Sequence, residues 1–443
     1  MTADSYAHEH EQGVTMDAST AYPPPGPLSR RTFLTIGGLT VAAGAAGVMG
    51  LRSNPAGARN AVLAAAPTPL RADIYTHLAG TDGWISLPNK PTVYHPDNLA
   101  PDPCNTFVLG FADATAFINP ATGSAAGTAG LAALKNHAQI DAPLLGYDEG
   151  KKVQISLTNL GFKQRPDVTD GHTIHWHGFK NAIPLFDGVP EMSVAPSVGR
   201  TIAFFYNLEL GTAGTYMYHC HWEDVQHVQL GMRGMVYVRP MQNTATAKYA
   251  YNDGDHSTQY DREFSCLLTD MWLRSHAEFS HIQETDWSDF TADAFLLNGR
   301  SYPDTLLPHR AGLSGANAAR LKYQPYGSLI RCNSGDRVLI RMSNLGYTTP
   351  TMTMDGIRLK IVGRDASWLR GNYVDTHTLR LGPGESVDAI FTAPHVTHRT
   401  SFDFANRNYG ASTNGATAGP SGQTTRVDVY PAGTLGAQGG INQ

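Results

Sequence analysis

Between residues 70 and 431 the chain runs as short apolar stretches rich in Val, Ile, Phe, Tyr and Thr, broken by Gly, Pro and Asn. Apolar and polar positions alternate with a period of two and rarely follow a helical period, which predicts strands and an all-β fold. The exceptions are "GTAGLAALKNHAQI" at 127–140 and "SLPNKP", where a helix or loop insertion is expected. One stretch recurs. "GKKVQISLTNLGF" at 150–162 and "GDRVLIRMSNLGY" at 335–347 share the glycine, the alternating aliphatics and an Asn-Leu-Gly turn. Further matches keep the order: Gly178 answers Gly356, and "SVGRTIAFFYNLE" answers "GPGESVDAIFTAP". An internal repeat of this length predicts two copies of one domain. The expected organisation is two antiparallel β-sandwiches, 67–240 and 261–431, joined by a polar linker at 241–260 and followed by a loose tail at 432–443.

Two motifs carry metal-ligand chemistry, "HTIHWHG" at 172–178 and "YHCHWEDVQHVQLGM" at 218–232. Alternate side chains on a strand share a face, so His175 and His177 point one way, as do His219 and His221, while Cys220 points the other. His172 stands at the strand entrance and can face a different site. Two centres back to back are therefore expected on one strand pair. On the Cys220 side, His172, His227 and Met232 complete two imidazoles, a thiolate and a weak thioether, the blue-copper set; structural zinc seldom uses Met and favours paired cysteines. On the other side, His175, His177, His219 and His221 offer four imidazoles. Cys220, bonded through the backbone to His219 and His221, would give a short electron path between the centres.

Other residues change the picture less. Trp176 and Tyr218 are expected to pack behind the imidazoles, and Met352 and Met354 to lie in a core. Glu223 and Asp224 are expected to be solvated. His276, His281, His309, His377, His395 and His398 lack paired spacing and are expected at the surface or in the core. A formal net charge of −5 without a basic run after the leader argues against nucleic acid as a partner. The leader, residues 1–66, joins Arg30 and Arg31 to an apolar Gly/Ala-rich stretch and offers small residues for cleavage after Ala66. It is similar to a twin-arginine export signal, which implies a periplasmic, extracellular or cell-surface location. With Cys220 set aside as a ligand, at most one disulfide can form among Cys104, Cys266 and Cys332.

These motifs resemble the multicopper oxidase family, and the first domain is similar to the copper-bearing domain of its two-domain, laccase-like members. The resemblance implies two tandem cupredoxin-like Greek-key sandwiches. It implies that His172, Cys220, His227 and Met232 are type 1 copper ligands. It further implies that His175, His177, His219 and His221 are half the ligands of a type 2/type 3 copper cluster. The implied chemistry is one-electron oxidation of a phenol, aromatic amine or metal ion, with electrons passed to dioxygen. The implied assembly is a homotrimer, or a complex in which a partner chain supplies further ligands. Two departures stand out. His227 lies seven residues past Cys220, a longer interval than the resemblance implies. In the second copy Thr353 and Asp355 fall opposite His175 and His177, and Ala405, Asn406 and Arg407 fall opposite His219, Cys220 and His221, so that domain is expected to lack copper ligands. The alternatives are a single blue-copper electron carrier and a nitrite-reductase-like enzyme; the latter expects Asp where His175 stands and no histidine at 221.

Overall fold

The computed structural model describes residues 71–88, 98–119, 123, 128–180, 182–413 and 419–443. The leader and its twin-arginine motif lie outside them. Among the described residues no helix is long and apolar enough to cross a membrane.

The first sandwich is built from β1 (Ile74–Ile85), β2 (Thr106–Asp113), β3 (Leu145–Asp148), β4 (Lys152–Asn159), β5 (His175–His177), β6 (Thr201–Asn207), β7 (Gly214–His219) and β8 (Arg233–Arg239). Its sheets run β2-β1-β4-β6 and β3-β8-β7-β5. Strands β9 (Lys248–Tyr249) and β10 (Gln259–Tyr260) form a short hairpin between the domains. The second sandwich comprises β11 (Arg262–Met271), β12 (Ala294–Leu297), β13 (Ile330–Asn333), β14 (Arg337–Asn344), β15 (Thr351–Met354), β16 (Leu359–Arg364), β17 (Ser367–Trp368), β18 (Val374–Thr376), β19 (Thr378–Arg380), β20 (Ser386–Thr392), β21 (Thr400–Asn406) and β22 (Thr424–Tyr430). Its sheets run β12-β11-β14-β20-β16-β17 and β13-β22-β21-β15-β19. Three short helices bear on the sites below: α1 (Thr128–Ala132), α2 (Asp224–Leu230) and α3 (Leu273–Ser280).

The sheets are mixed, which corrects the antiparallel expectation. The strand that opens each domain runs parallel to its neighbour, β1 beside β4 and β11 beside β14, and the other sheet of each domain repeats this with β3/β8 and β13/β22. A Greek-key crossover returns the chain in the same direction, so these pairs cannot be hairpins. The repeat is visible in atomic detail. In both Asn-Leu-Gly turns the glycine N–H donates to the asparagine Oδ1, Gly161 to Asn159 at 2.8 Å and Gly346 to Asn344 at 2.9 Å.

Alternation explains the cores. Val153, Ile155 and Leu157 of β4 enter the first core, and Val338, Ile340 and Met342 of β14 enter the second, together with Met352 and Met354. The polar face of β4 is covered from within its own domain: Gln154 donates to Gly123 O, and Thr158 pairs with His77. The stretch at 127–140, where a helix or loop insertion is expected, holds among its described residues the one-turn α1 followed by a run of turns. The polar face of β14 instead meets the first domain. There Arg341, wholly buried, donates to Glu263 (2.7 Å) and lies 3.4 Å from Asp388, whose carboxylate also accepts from Thr215 of β7 and Tyr251 of the connecting segment.

That connecting segment is not a free linker, because Tyr251 and Tyr260 are buried with Ala213, Leu339, Val362 and Ile390. The tail is not loose either. Asn442 exchanges hydrogen bonds with Ser265 (2.6 and 2.7 Å), and Gly436 O accepts from Arg262 (2.7 Å). Polar side chains meeting backbone groups hold this segment, a signal that apolar patterning does not carry. All four cysteines are free thiols, and burial pushes Cys266 and Cys332 up to about 12.

Candidate metal centres

Strand β7 divides two clusters. His172, Cys220 and His227 bring their ligand atoms within 4.8 Å of one another, all buried in the first core. Cys220 Sγ lies 3.4 Å from His227 Nδ1. The loop closes on itself through backbone bonds, Cys220 N–H to Met232 O and Met232 N–H to His227 O. Met232 is fully buried beside His172: a methyl group on Gly80 would stand 2.6 Å from the His172 ring and 3.3 Å from Met232 Cε. Gly80 is therefore part of the site by being small, and nothing near it in the sequence marks it. Phe162, from the first Asn-Leu-Gly turn, faces both imidazoles at 5.5 and 6.4 Å between ring centroids.

The interval between Cys220 and His227 holds the start of helix α2, which runs on past His227 to Leu230. Helix α2 faces inward with His227, Val228, Gln229 and Leu230 and leaves Glu223 and Asp224 exposed. It ends at Gly231, whose φ of +125° and contact with Leu109 O exclude a side chain. The inserted length is thus absorbed as regular structure, with His227 still delivered to Cys220.

The electrostatics suit a cation. Both ring nitrogens of His172 lack a hydrogen-bond partner, and burial holds its pKa well below the ordinary value. Burial opposes charge on His227 too, but the Cys220 sulfur and the Asp170 carboxylate outweigh it and push His227 up to about 9. A positive charge is favoured beside the sulfur, whether proton or metal. Asp170 Oδ2 sits 3.6 Å from His227 Nε2, too long for an ordinary hydrogen bond, so it acts mainly through its charge. Groups of this kind orient ligand imidazoles and raise their basicity. Asp170→Asn is expected to weaken copper retention at this centre about 10–100-fold, as measured by competition with a chelator; retention equal to wild type would remove Asp170 from this role.

On the opposite face β5 and β7 pair in the register His175↔His219. Here His175, His177 and His219 bring ligand atoms within 4.8 Å. His175 Nδ1 lies 2.7 Å from Asp187 O, and His219 Nδ1 lies 2.9 Å from Cys220 O. A carbonyl can only accept, so both Nδ1 atoms carry the proton and both Nε2 atoms offer a lone pair. Burial pushes His219 down to about 3, keeping it neutral. The His221 ring packs against the same group, 5.2 Å from that of His175 and 5.6 Å from that of His219, distances no longer than those of the His177 ring to the same two. Strand β7 ends at His219, and beyond it His221 N–H donates to Thr173. A cavity of about 240 Å³ opens beside His177, walled by Met217, Asp365, Gly384 and Glu385. A cleft of about 680 Å³ around Arg239 and His309 contains none of the eight candidate ligands.

In the second domain β15 and β21 reproduce the register as Thr353↔Ala405. The positions matching His177 and His221 hold an ion pair, Asp355 with Arg407. Thr353 pairs with Thr378, and Asn406, in the place of Cys220, donates to Gln423. These groups satisfy one another and offer no metal set. Of the other second-half histidines, His276 is buried with Nδ1 on Phe107 O, while His395 and His398 are exposed.

Two cupredoxin-like sandwiches, the first with a Cys-His-His-Met pocket backed by an imidazole face, define a protein of the blue-copper class. Residues 127–243 and 262–430 match models described as multicopper oxidase, and the chain belongs to the multicopper oxidase family, whose members bind type 1, type 2 and type 3 copper. It is 27% identical over 269 residues to L-ascorbate oxidase of Nicotiana tabacum, covering 57% of this chain and 41% of that protein. It is 22% identical over 263 residues to Laccase-12 of Arabidopsis thaliana, covering 58% and 40%. The chain thus spans about two fifths of these relatives' length. The Blue Copper Oxidase from Nitrosomonas europaea shares the fold, with a TM-score of 0.56, 21% identity, and coverage of 80% of this chain and 86% of that one.

Proposed function

We propose that the protein is a copper-dependent oxidoreductase that takes single electrons from a reducing substrate at the Cys220 centre and delivers them to dioxygen at the histidine face. The observation that carries this reading is the placement of His172, Cys220 and His227 on one side of β7 and of His175, His177 and His219 on the other. Copper, when bound, supplies reversible one-electron transfer at the first set and a site for oxygen reduction at the second. The chain supplies the rest. Cys220 shares a peptide bond with each neighbouring histidine, so the two sets are joined through covalent bonds. The Cys220 pocket is buried, and the loop that carries Cys220, His227 and Met232 closes on itself through backbone bonds. The carbonyls of Asp187 and Cys220 hold His175 and His219 in the tautomer that presents Nε2.

A phenol, an aromatic amine or a low-valent metal ion fits as donor by analogy with relatives named laccase and ascorbate oxidase. Further imidazoles would come from a neighbouring subunit of a homotrimer or from a partner chain. Export through the twin-arginine route, to the periplasm or beyond, completes the proposal. A single blue-copper carrier is the second reading, favoured by the self-satisfied Asp355–Arg407 and Thr353–Thr378 groups in the second domain.

The test combines copper analysis with oxygen uptake on a phenolic donor. Two or more coppers per chain are expected, and His219→Ala should keep the visible colour while losing oxygen uptake. One copper per chain without oxygen uptake would decide for the carrier, and unchanged uptake in the variant would remove His219 from the oxygen-reducing site.

A further inference from the structure

We infer that the second domain, though no metal-ligand set is found among its described residues, positions the ligand loop of the first, with Gln229, Asp270 and Tyr347 as the positioning residues for His227 and Met232. The inference rests on the reading of the Cys220 pocket as a copper site, but the contacts themselves do not.

Helix α2 spans the middle of the loop, between Cys220, which follows β7 and donates its N–H to Met232 O, and Met232, which leads into β8. Its inner face meets the second domain. Gln229, wholly buried, accepts from Trp272 N–H at 2.9 Å and points its amide nitrogen at Asp270 Oδ1, 3.4 Å away. Only a side chain with both a donor and an acceptor can answer these two groups. Asp270 is held rigid in turn. Its carboxylate accepts from Tyr347 N–H (3.0 Å), Thr348 N–H (2.8 Å) and the Thr348 hydroxyl (2.7 Å). Tyr347 then reaches back and donates its hydroxyl to Val225 O in the first turn of α2 (2.8 Å). Arg233, also wholly buried, ties the end of the helix to the same place, donating to Val228 O (2.7 Å) and to Asp270 O (3.1 Å).

Tyr347 closes the second copy of the Asn-Leu-Gly turn; Phe162 closes the first and faces the two imidazoles directly. The two copies of one turn thus approach the same loop from opposite domains. Helix α3 of the second domain adds Phe279, which packs on Phe162 at 6.1 Å. The second domain therefore holds α2 by its first turn and its last, and stacks against the ring that backs the imidazoles. A ligand loop held at both ends gives a metal little freedom to rearrange between oxidation states.

The test uses the full chain with Gln229→Met, which keeps the volume and removes both polar contacts, and Tyr347→Phe, which removes one hydroxyl. In metal-free protein, amide exchange over 224–232 should quicken about tenfold in Gln229→Met and less in Tyr347→Phe, with β-strand amides unchanged. In copper-loaded protein the reduction potential should move by up to about 59 mV, a tenfold change in relative affinity for the two oxidation states. Exchange equal to wild type overturns the inference, as does faster exchange spread evenly over both sandwiches. A local change in exchange with an unmoved potential would make these residues structural only. A protein that fails to colour with copper would sink the copper reading and leave the exchange measurement to decide the clamp.

Discussion

Serine in place of Cys220 is expected to remove the intense visible absorption of the copper-loaded protein, lower its copper content by one per chain, and reduce donor-driven oxygen uptake to background. Sulfur and oxygen are close in size here, and Cys220 lies wholly buried in a packed core, so the fold should survive. The chemistry should not. A hydroxyl is not ionised beside His227 as a thiolate can be, and a hard oxygen stabilises Cu(I) poorly. The backbone path through His219 and His221 remains but has no electron to carry. Optical spectroscopy, metal analysis and an oxygen electrode read the three effects separately. A variant that keeps its colour would place the copper elsewhere.

Arg341→Met is expected to produce the largest loss of stability, on the order of 3–5 kcal/mol, because it breaks a buried charge network by removing one partner. Arg341 is inaccessible to solvent between Glu263 and Asp388 and packs over the Tyr237 ring at 5.3 Å. Methionine fills much of the volume but leaves the carboxylates short of positive charge. Denaturant titration with linear extrapolation measures the loss; a change under 1 kcal/mol would mean that Arg239 and the Thr215 and Tyr251 hydroxyls suffice. The network also fixes a pH dependence. Burial alone would raise the Glu263 carboxyl, but Arg341 and Arg239 hold it below the usual glutamate value. A depressed folded-state pKa contributes stability above the unfolded value and loses it as the pH falls through the folded one. Acid should therefore destabilise wild type progressively below the ordinary glutamate range.

What the sequence disclosed follows from short-range rules. The alternation of side chains on β5 and β7 was enough to separate Cys220 from His175, His177 and His219, since the rule holds wherever the strand continues. His221 lies two residues past the last paired position, yet its ring still packs against those of His175 and His219. The repeat of the Asn-Leu-Gly turn marked both domains, and the register Thr353↔Ala405 agrees with the alignment drawn from it. The mixed sheets were hidden because alternation says which face a residue takes and not which neighbour it pairs with. Asp170, Gln229 and Asp270 were hidden for another reason: each is an ordinary polar residue made important by a partner elsewhere in the fold. The packed tail is the same case, its asparagine and glutamines reading as solvated until their partners are known.

The grip of Trp272, Asp270 and Tyr347 on the ligand helix bears on any attempt at a minimal module. Cutting the chain after residue 240 would keep all eight candidate ligands, yet expose the buried ends of Gln229 and Arg233 to water. Such a fragment, however complete on paper, would present its metal pocket on an unsupported flap, and a compact electron-transfer tool made from this protein must retain or redesign the second sandwich.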